Sequence, residues 1–170
     1  MTILSFENQE EEPLVLVLDP WGDEHVIPFL ATAGVRLVPE DGAEQRYTCT
    51  VGARRITLWC DSSRYDVDIV LPSRFDLLLW DICARGGWCG GIVDGAPSFV
   101  TDLLPDTGMV TARVFAELAI KADGPPESES LPETQIRWLE EAFARFFDPA
   151  GVPAATLRRN LALPFEDGSD

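Results

Sequence analysis

The side chains in this sequence that could open metal or nucleophile chemistry are four cysteines, Cys49, Cys60, Cys83 and Cys89, and the single histidine, His25. Zinc modules hold thiolates in pairs separated by roughly two to four residues, because two ligands on one tight turn chelate together. Neither Cys49 with Cys60 nor Cys83 with Cys89 has that spacing, so no metal site and no cofactor is expected. Cys49 and Cys60 read as strand residues and Cys83 as a helix residue packing as a small hydrophobe. A cysteine nucleophile needs a neighbouring base. For Cys89, in a glycine-rich loop that would expose it, only His25 could serve, oriented by Asp23 or by an aspartate from 66–81. Nothing local couples the two, so no catalytic residue is assigned and the reading leans away from an enzyme.

Carboxylates are too abundant for any pair to stand out. Asp66 with Asp68, and Asp19 with Asp23 and Glu24, follow neither the calcium-loop pattern nor any other ordered spacing, and read as solvated faces. The run RGGWCGG at 85–91 matches neither the P-loop nor the dinucleotide fingerprint, and it follows a helix instead of joining a strand to one. Its glycines end that helix and let the backbone turn sharply. Trp88 within it is either a plug into the protein's own core or an exposed anchor for a partner. Trp21, in Asp-Pro-Trp-Gly-Asp-Glu, poses the same choice: it folds over the end of a sheet, or, ringed by acids, offers a cation–π surface to a basic patch.

The charge balance supplies the main functional signal. The chain carries 29 acidic and 13 basic residues, a net charge of −16. Such a field repels nucleic acid and anionic lipid and accelerates encounter with a basic protein. Arg158 and Arg159, on the second of two helices that could pass for a helix-turn-helix, sit in too negative a setting for DNA, and are better placed at a helix C-terminus or against Glu140 and Glu141. Lys121 is the lone lysine among the basic residues, a usage that fits a GC-rich bacterial genome. The start, MTILSFENQEEEP, lacks the basic region, apolar run and cleavage site of a secretory signal, and no apolar run is long enough to span a bilayer. A cytoplasmic protein with reduced thiols is expected.

The elements that must position these residues fall into two regions. After an acidic tail at 1–12, short strands separated by turn chemistry run from 13 to 72: LVLVL (14–18), HVIPF (25–29), GVRLV (34–38), RYTCTV (46–51), RRITLWC (54–60) and YDVDIVL (65–71). Asp19-Pro20-Trp21-Gly22, Glu40-Asp41-Gly42, Val51-Gly52-Ala53 and Asp61-Ser62-Ser63 predict antiparallel hairpins between neighbours. In the last strand Tyr65, Val67, Ile69 and Leu71 share a dry face, and Asp66 and Asp68 a wet one. From Ser73, paired with Asp76 as a cap, the period becomes helical. Helices are predicted from 73 to Gly86-Gly87, from 107 to 122, from near Pro132 to Phe147, and over 153–160 with Leu157 and Leu161 turned inward. A loop-rich stretch with a short strand at Ile92-Val93 precedes the second helix, a polar linker occupies 124–132, and 165–170 reads as a frayed acidic tail.

The expected architecture is α+β: an N-terminal antiparallel sheet, a small barrel or sandwich, packed against three to four C-terminal helices over 73–164. The leading functional expectation is a non-catalytic acidic interaction module for a basic protein partner, acting as an inhibitor, an immunity-type factor or a nucleic-acid mimic. Its expected binding residues are Asp19, Trp21, Asp23, Glu24, Asp66, Asp68 and Trp88. A ligand-binding sensor or enzyme is the alternative, with a pocket between sheet and helices rimmed by Trp80, Trp88, Cys89 and Asp94. A structural domain whose acidity serves solubility is the third.

Overall fold

A computed structural model describes residues 2–39, 46–124 and 133–166. It is an α+β chain with N-terminal strands and C-terminal helices, and it divides into two compact units, Met1–Leu71 with Leu161–Asp170, and Pro72–Asn160.

The first unit holds β1 (Thr2–Glu7), β2 (Leu14–Asp19), β3 (Asp23–Ile27), β4 (Thr32–Val38), β5 (Tyr47–Val51), β6 (Arg55–Cys60) and β7 (Arg64–Val70). Two sheets, ordered β1-β4-β7 and β3-β2-β6-β5, share one apolar core. Leu16, Leu18, Ile27 and Leu58 come from one sheet and Ala33, Val35 and Leu37 from the other, with Leu4, Phe6, Val67 and Ile69 packed around them. Each strand reaches this core with alternate residues, as a pleat requires. Two arrangements differ from the hairpin expectation. β2 pairs with β6 in parallel, Leu16 beside Ile56 and Leu18 beside Leu58, because turn chemistry governs only strands adjacent in sequence and this pair is brought together by core burial. Asp61-Ser62-Ser63 closes no hairpin; it carries the chain from β6 in one sheet to β7 in the other. The Glu40-Asp41-Gly42 turn lies outside the described residues.

Residues 2–7, expected as part of a tail, form a strand, and Phe165 is bonded to β7, while 167–170 of the expected acidic tail lie outside the described residues. Thr2–Glu7 lies against β4 with Leu4 opposite Val35 and Phe6 opposite Ala33. Asn8, 3% exposed, then fixes the next turn: its side-chain amide donates to the carbonyls of Glu12 (2.9 Å) and Ile27 (3.0 Å), and its Oδ1 accepts from the Glu10 N–H (3.0 Å). At the other end the Phe165 N–H donates to Asp68 (2.7 Å), and the Arg36 guanidinium lies 4.6 Å from the Phe165 ring centre. Leu71, just past β7, is exposed, so the dry face of that strand ends at Ile69.

The second unit runs α1 (Arg74–Ala84), β8 (Gly90–Val93), β9 (Ala96–Phe99), α2 (Val100–Leu103), β10 (Met109–Val110), α3 (Ala112–Asp123), α4 (Glu133–Phe146) and β11 (Val152–Pro153). Its core joins Phe75, Leu78 and Ile82 to Phe115, Ala119, Leu139 and Phe143, with the Phe115 and Phe143 rings 5.2 Å apart. Ser73 caps α1 through the predicted capping box: its hydroxyl accepts from the Asp76 N–H (3.0 Å), and its own N–H donates to the Asp76 carboxylate (3.0 Å). The helix expected from 107 starts at Ala112, because Thr111 supplies the cap and Met109-Val110 is taken up in a ladder with Val152-Pro153. That ladder also prevents a helix over 153–160. Only a 3₁₀ turn, Ala154–Thr156, follows, with Leu157 buried and Leu161 exposed. Among the described residues no helix is long and apolar enough to cross a membrane.

Two predictions concern these anchor points. Asn8→Leu removes three side-chain bonds and leaves the buried Ile27 carbonyl without its side-chain donor, so the loss should be about 1–3 kcal/mol in urea unfolding. Asp76 also accepts from Arg159 (3.0 Å) and the Asn160 N–H (2.8 Å). Burial acts to raise its pKa, but the bonds from Asn160, Ser73 and Arg159 outweigh it and hold the carboxyl below its ordinary 3.8. A depressed folded pKa contributes stability that is complete above the unfolded value and lost as pH falls through the folded one. The acid limb of the stability curve below about pH 4 should therefore flatten in Asp76→Asn, measured by urea unfolding across pH.

Candidate functional site

The core fixes what the four-stranded sheet presents outward. Leu58 and Cys60 of β6 are buried, so the alternate residues Arg55, Thr57 and Trp59 face the other way. Strand pairing extends that face: Trp59 stands beside Asp19 of β2 and opposite Thr48 of β5, Thr57 beside Val17 and opposite Thr50, and Val17 opposite Glu24 of β3. Trp59 is 43% exposed, and Val26 of β3 on the same face is exposed too. This juxtaposition of a half-exposed indole and a carboxylate is the cation-accepting arrangement that the sequence suggested for Trp21. Trp59 was not singled out by sequence, although the alternation in RITLWC, with Arg55, Thr57 and Trp59 opposite Ile56, Leu58 and Cys60, carries the signal.

At one edge of this sheet lies β5, all five of whose residues are exposed. Among the described residues it pairs only with β6. The Gly52 N–H donates to the Arg55 carbonyl (2.7 Å) and the Asp61 N–H to the Arg46 carbonyl (3.0 Å). Because hydrogen-bonded pairs alternate in an antiparallel ladder, Thr48 and Thr50 turn their backbone groups toward β6, and Tyr47, Cys49 and Val51 turn theirs away.

The acidic residues expected to bind a partner are mostly engaged within the chain. Glu24 pairs with Arg55 (2.9 Å), Asp66 with Arg36 (3.2 Å), and Asp68 accepts from Phe165. Asp23 accepts a hydrogen bond from the Tyr65 phenol, whose pKa partial burial and then this carboxylate push up to about 12. Trp21 packs half-buried on the core with its ring centre 4.7 Å from that of Tyr65, and His25 meets Tyr65 edge-on at 6.1 Å. Asp19 has no side-chain partner among the described residues.

Trp80, Trp88, Cys89 and Asp94 all belong to the second unit. Trp80 lies in α1 and is partly buried, whereas Trp88 is 69% exposed. Asp94 and Gly95, with φ of 52° and 81°, form the two-residue turn between β8 and β9, so Asp94 has a backbone role there. Burial, and then the neighbouring Cys83, push the Cys89 thiol up to about 12. It stays protonated at neutral pH, and His25 belongs to the other unit. Gly86, at a φ of 82°, turns the chain at the end of α1, whereas Gly87, Gly90 and Gly91 allow close approach: a Cβ on Gly87 would lie 2.7 Å from the Trp138 ring, and one on Gly91 would meet the Asp123 backbone. Among the described residues no group of three or more histidine, cysteine or acidic side chains is arranged to hold a metal ion.

Charge is divided unevenly. The strand unit contains 16 acidic and 5 basic residues, a net −11, and the helical unit 13 and 8, a net −5. Three of the strand unit's five arginines, Arg36, Arg54 and Arg55, are already paired with Asp66, Glu12 and Glu24. Glu10, Glu11, Asp19 and Asp61 have no ion-pair partner among the described residues. Three of them lie toward the ends of β5: Glu10 and Glu11 are next to Glu12, which pairs with Arg54 in the β5–β6 turn, and the Asp61 N–H donates to the Arg46 carbonyl at the opposite end, while Asp19 lies on β2 beyond β6.

The different settings of the tryptophans predict different costs of truncation. Trp88→Ala should leave unfolding free energy within about 0.5 kcal/mol of the parent, whereas Trp21→Ala, which strips the Tyr65 ring and uncovers the core edge, should lose about 1–3 kcal/mol by urea unfolding. No family model, no curated protein and no solved structure matches this chain, so its functional reading rests on the geometry of its own residues.

Proposed function

We propose that this chain is a non-catalytic interaction module whose acidic strand unit binds a basic protein, in the manner of an inhibitor, an immunity-type factor or a nucleic-acid mimic. The observation that carries the reading is the charge division: a net −11 in the strand unit, with most of its arginines spent on internal pairs. Screening confines such a field to about 8 Å at physiological salt, so the acids that count are those facing solvent without a cation of their own. Glu10, Glu11, Asp19 and Asp61 meet that condition. Asp23, Glu24, Asp66 and Asp68 contribute charge but are held by Tyr65, Arg55, Arg36 and the Phe165 backbone, so they shape the surface more than they reach from it. Trp59 beside Asp19 adds an apolar contact that also accepts a cation.

The test is affinity capture from cell lysate at low and high salt, followed by binding kinetics with each purified captured protein. A basic protein held at low salt and released at high salt is the expected result. Joint reversal of Glu10, Glu11, Asp19 and Asp61 to lysine should then slow its association by about tenfold or more. Kinetics unchanged by the reversal, or partners that are acidic and indifferent to salt, would sink the reading.

A further inference from the structure

We infer that the outer edge of β5, which among the described residues pairs only with β6, receives an extended basic segment of the partner protein, which adds to the β3-β2-β6-β5 sheet as a fifth strand. The inference rests on the basic-partner reading above and assigns its docking geometry.

Sheet edges offer unpaired backbone donors and acceptors to any extended chain, and proteins ordinarily guard them with lysine, proline, a bulge or a covering element. The sequence of β5, YTCTV, holds no charge and no proline. Its residues pair one-to-one with β6 from Tyr47 opposite Cys60 to Val51 opposite Ile56, so no bulge bends it away. The N–H and C=O groups of Tyr47, Cys49 and Val51 face outward from the ladder, and Val51 is 73% exposed. A run of five residues spans about 17 Å, enough for a short segment to form several main-chain bonds.

Charge decides the occupant. The edge itself is uncharged; Glu10 and Glu11, next to the Arg54-bound Glu12, lie toward its hairpin end, Asp61 lies opposite Arg46 at its start, and in a unit of net −11 these acids outweigh Arg46, which favours a strand carrying lysine or arginine. It disfavours a second copy of this chain, since pairing two β5 edges would bring two units of net −11 together. The side-chain face agrees. Thr48 and Thr50 are short, so a long cationic side chain on the incoming strand, roughly two strand spacings or 9–10 Å from β6, can pass over Thr48 toward the Trp59 ring opposite it.

The probe is a capped nine-residue peptide of alternating lysine and valine, with the same peptide N-methylated at every residue as its partner control. The methylated form keeps the charge and loses every backbone donor. Fluorescence anisotropy at low salt under reducing conditions, with backbone amide exchange by NMR, reads the result. The unmodified peptide should bind at least about tenfold more tightly than the methylated one. It should slow exchange at Tyr47, Cys49 and Val51 and leave Thr48 and Thr50, already bonded to β6, unchanged. Cys49→Pro, which removes an outward N–H without touching a β6 bond, should weaken binding by a similar factor. Equal binding of the two peptides without protection in β5 would overturn the edge inference and leave the charge reading intact. Failure of both peptides to bind would overturn the edge inference, while the charge reading is judged separately on its lysate partners. Concentration-dependent protection of the same amides without peptide would overturn the basic occupant in favour of self-pairing.

Discussion

Burial of Leu58 and Cys60 against Leu16 and Leu18 is the constraint from which the outward surface of the strand unit follows. A strand alternates with period two, so committing one set of side chains to the core commits the other set to the opposite face, and a slip of one residue would exchange them all. With β6 held in that register, Trp59 must stand between Asp19 and Thr48, and β5, paired to β6 by its even-numbered residues, must turn the backbone groups of Tyr47, Cys49 and Val51 outward. The chemistry of the exposed face and of the edge is thus set from inside the molecule. Asn8 contributes from the rim, since its bonds to Ile27 and Glu12 tie the acidic run after β1 to the end of β3.

Electrostatics builds on that frame in two steps. Arginines are first consumed locally: Arg55 by Glu24 across the face, Arg36 by Asp66, and Arg54 by Glu12 at the turn. Exposed pairs of this kind add little stability, typically under about 1 kcal/mol each. Their larger effect is to match each of these cations to a carboxylate of the same unit, which leaves the unit's surplus acids without a cation of their own. The helical unit distributes its charges differently. Arg85 and Arg145 converge on Asp81, and Arg159 on Asp76, so carboxylates there serve to join α1 to the chain segments packed on it.

How much of this was legible in the sequence depends on whether the governing interaction is local. The period-two pattern of Tyr65, Val67 and Ile69, the capping box at Ser73 and the helical spacing of Phe75, Leu78 and Ile82 are all decided within a few residues, and the structure repeats them, while Leu71, at the end of the same pattern, is exposed. The parallel pairing of β2 with β6, the recruitment of Thr2–Glu7 into the β1-β4-β7 sheet, and the ladder that replaces a helix after Val152 are decided by distant partners, which no local pattern encodes. The binding residues show the same split. Sequence proximity drew attention to Trp21 because acids flank it in the chain, but Tyr65 claims its ring. Trp59 has Cys60 and Leu58 as chain neighbours and acquires Asp19 only through strand pairing.

Acidity and an open edge are each ambiguous alone, and together they constrain one another. An acidic surface without a docking geometry would serve solubility as readily as recognition. An unguarded edge on a neutral protein would invite self-association, because any copy of the chain would be an adequate partner. If β5 accepts a strand as proposed, the charge of this unit would oppose a copy and attract a cation, so the same carboxylates that protect β5 from its own kind would select what it accepts. Trp59 and the two threonines refine that selection, since an indole reached over short side chains distinguishes a long cationic residue from a short one. Specificity would then come from the alternation of the incoming strand, one face meeting Trp59 and the other the side of Tyr47, Cys49 and Val51, with the main-chain bonds supplying affinity that does not depend on sequence.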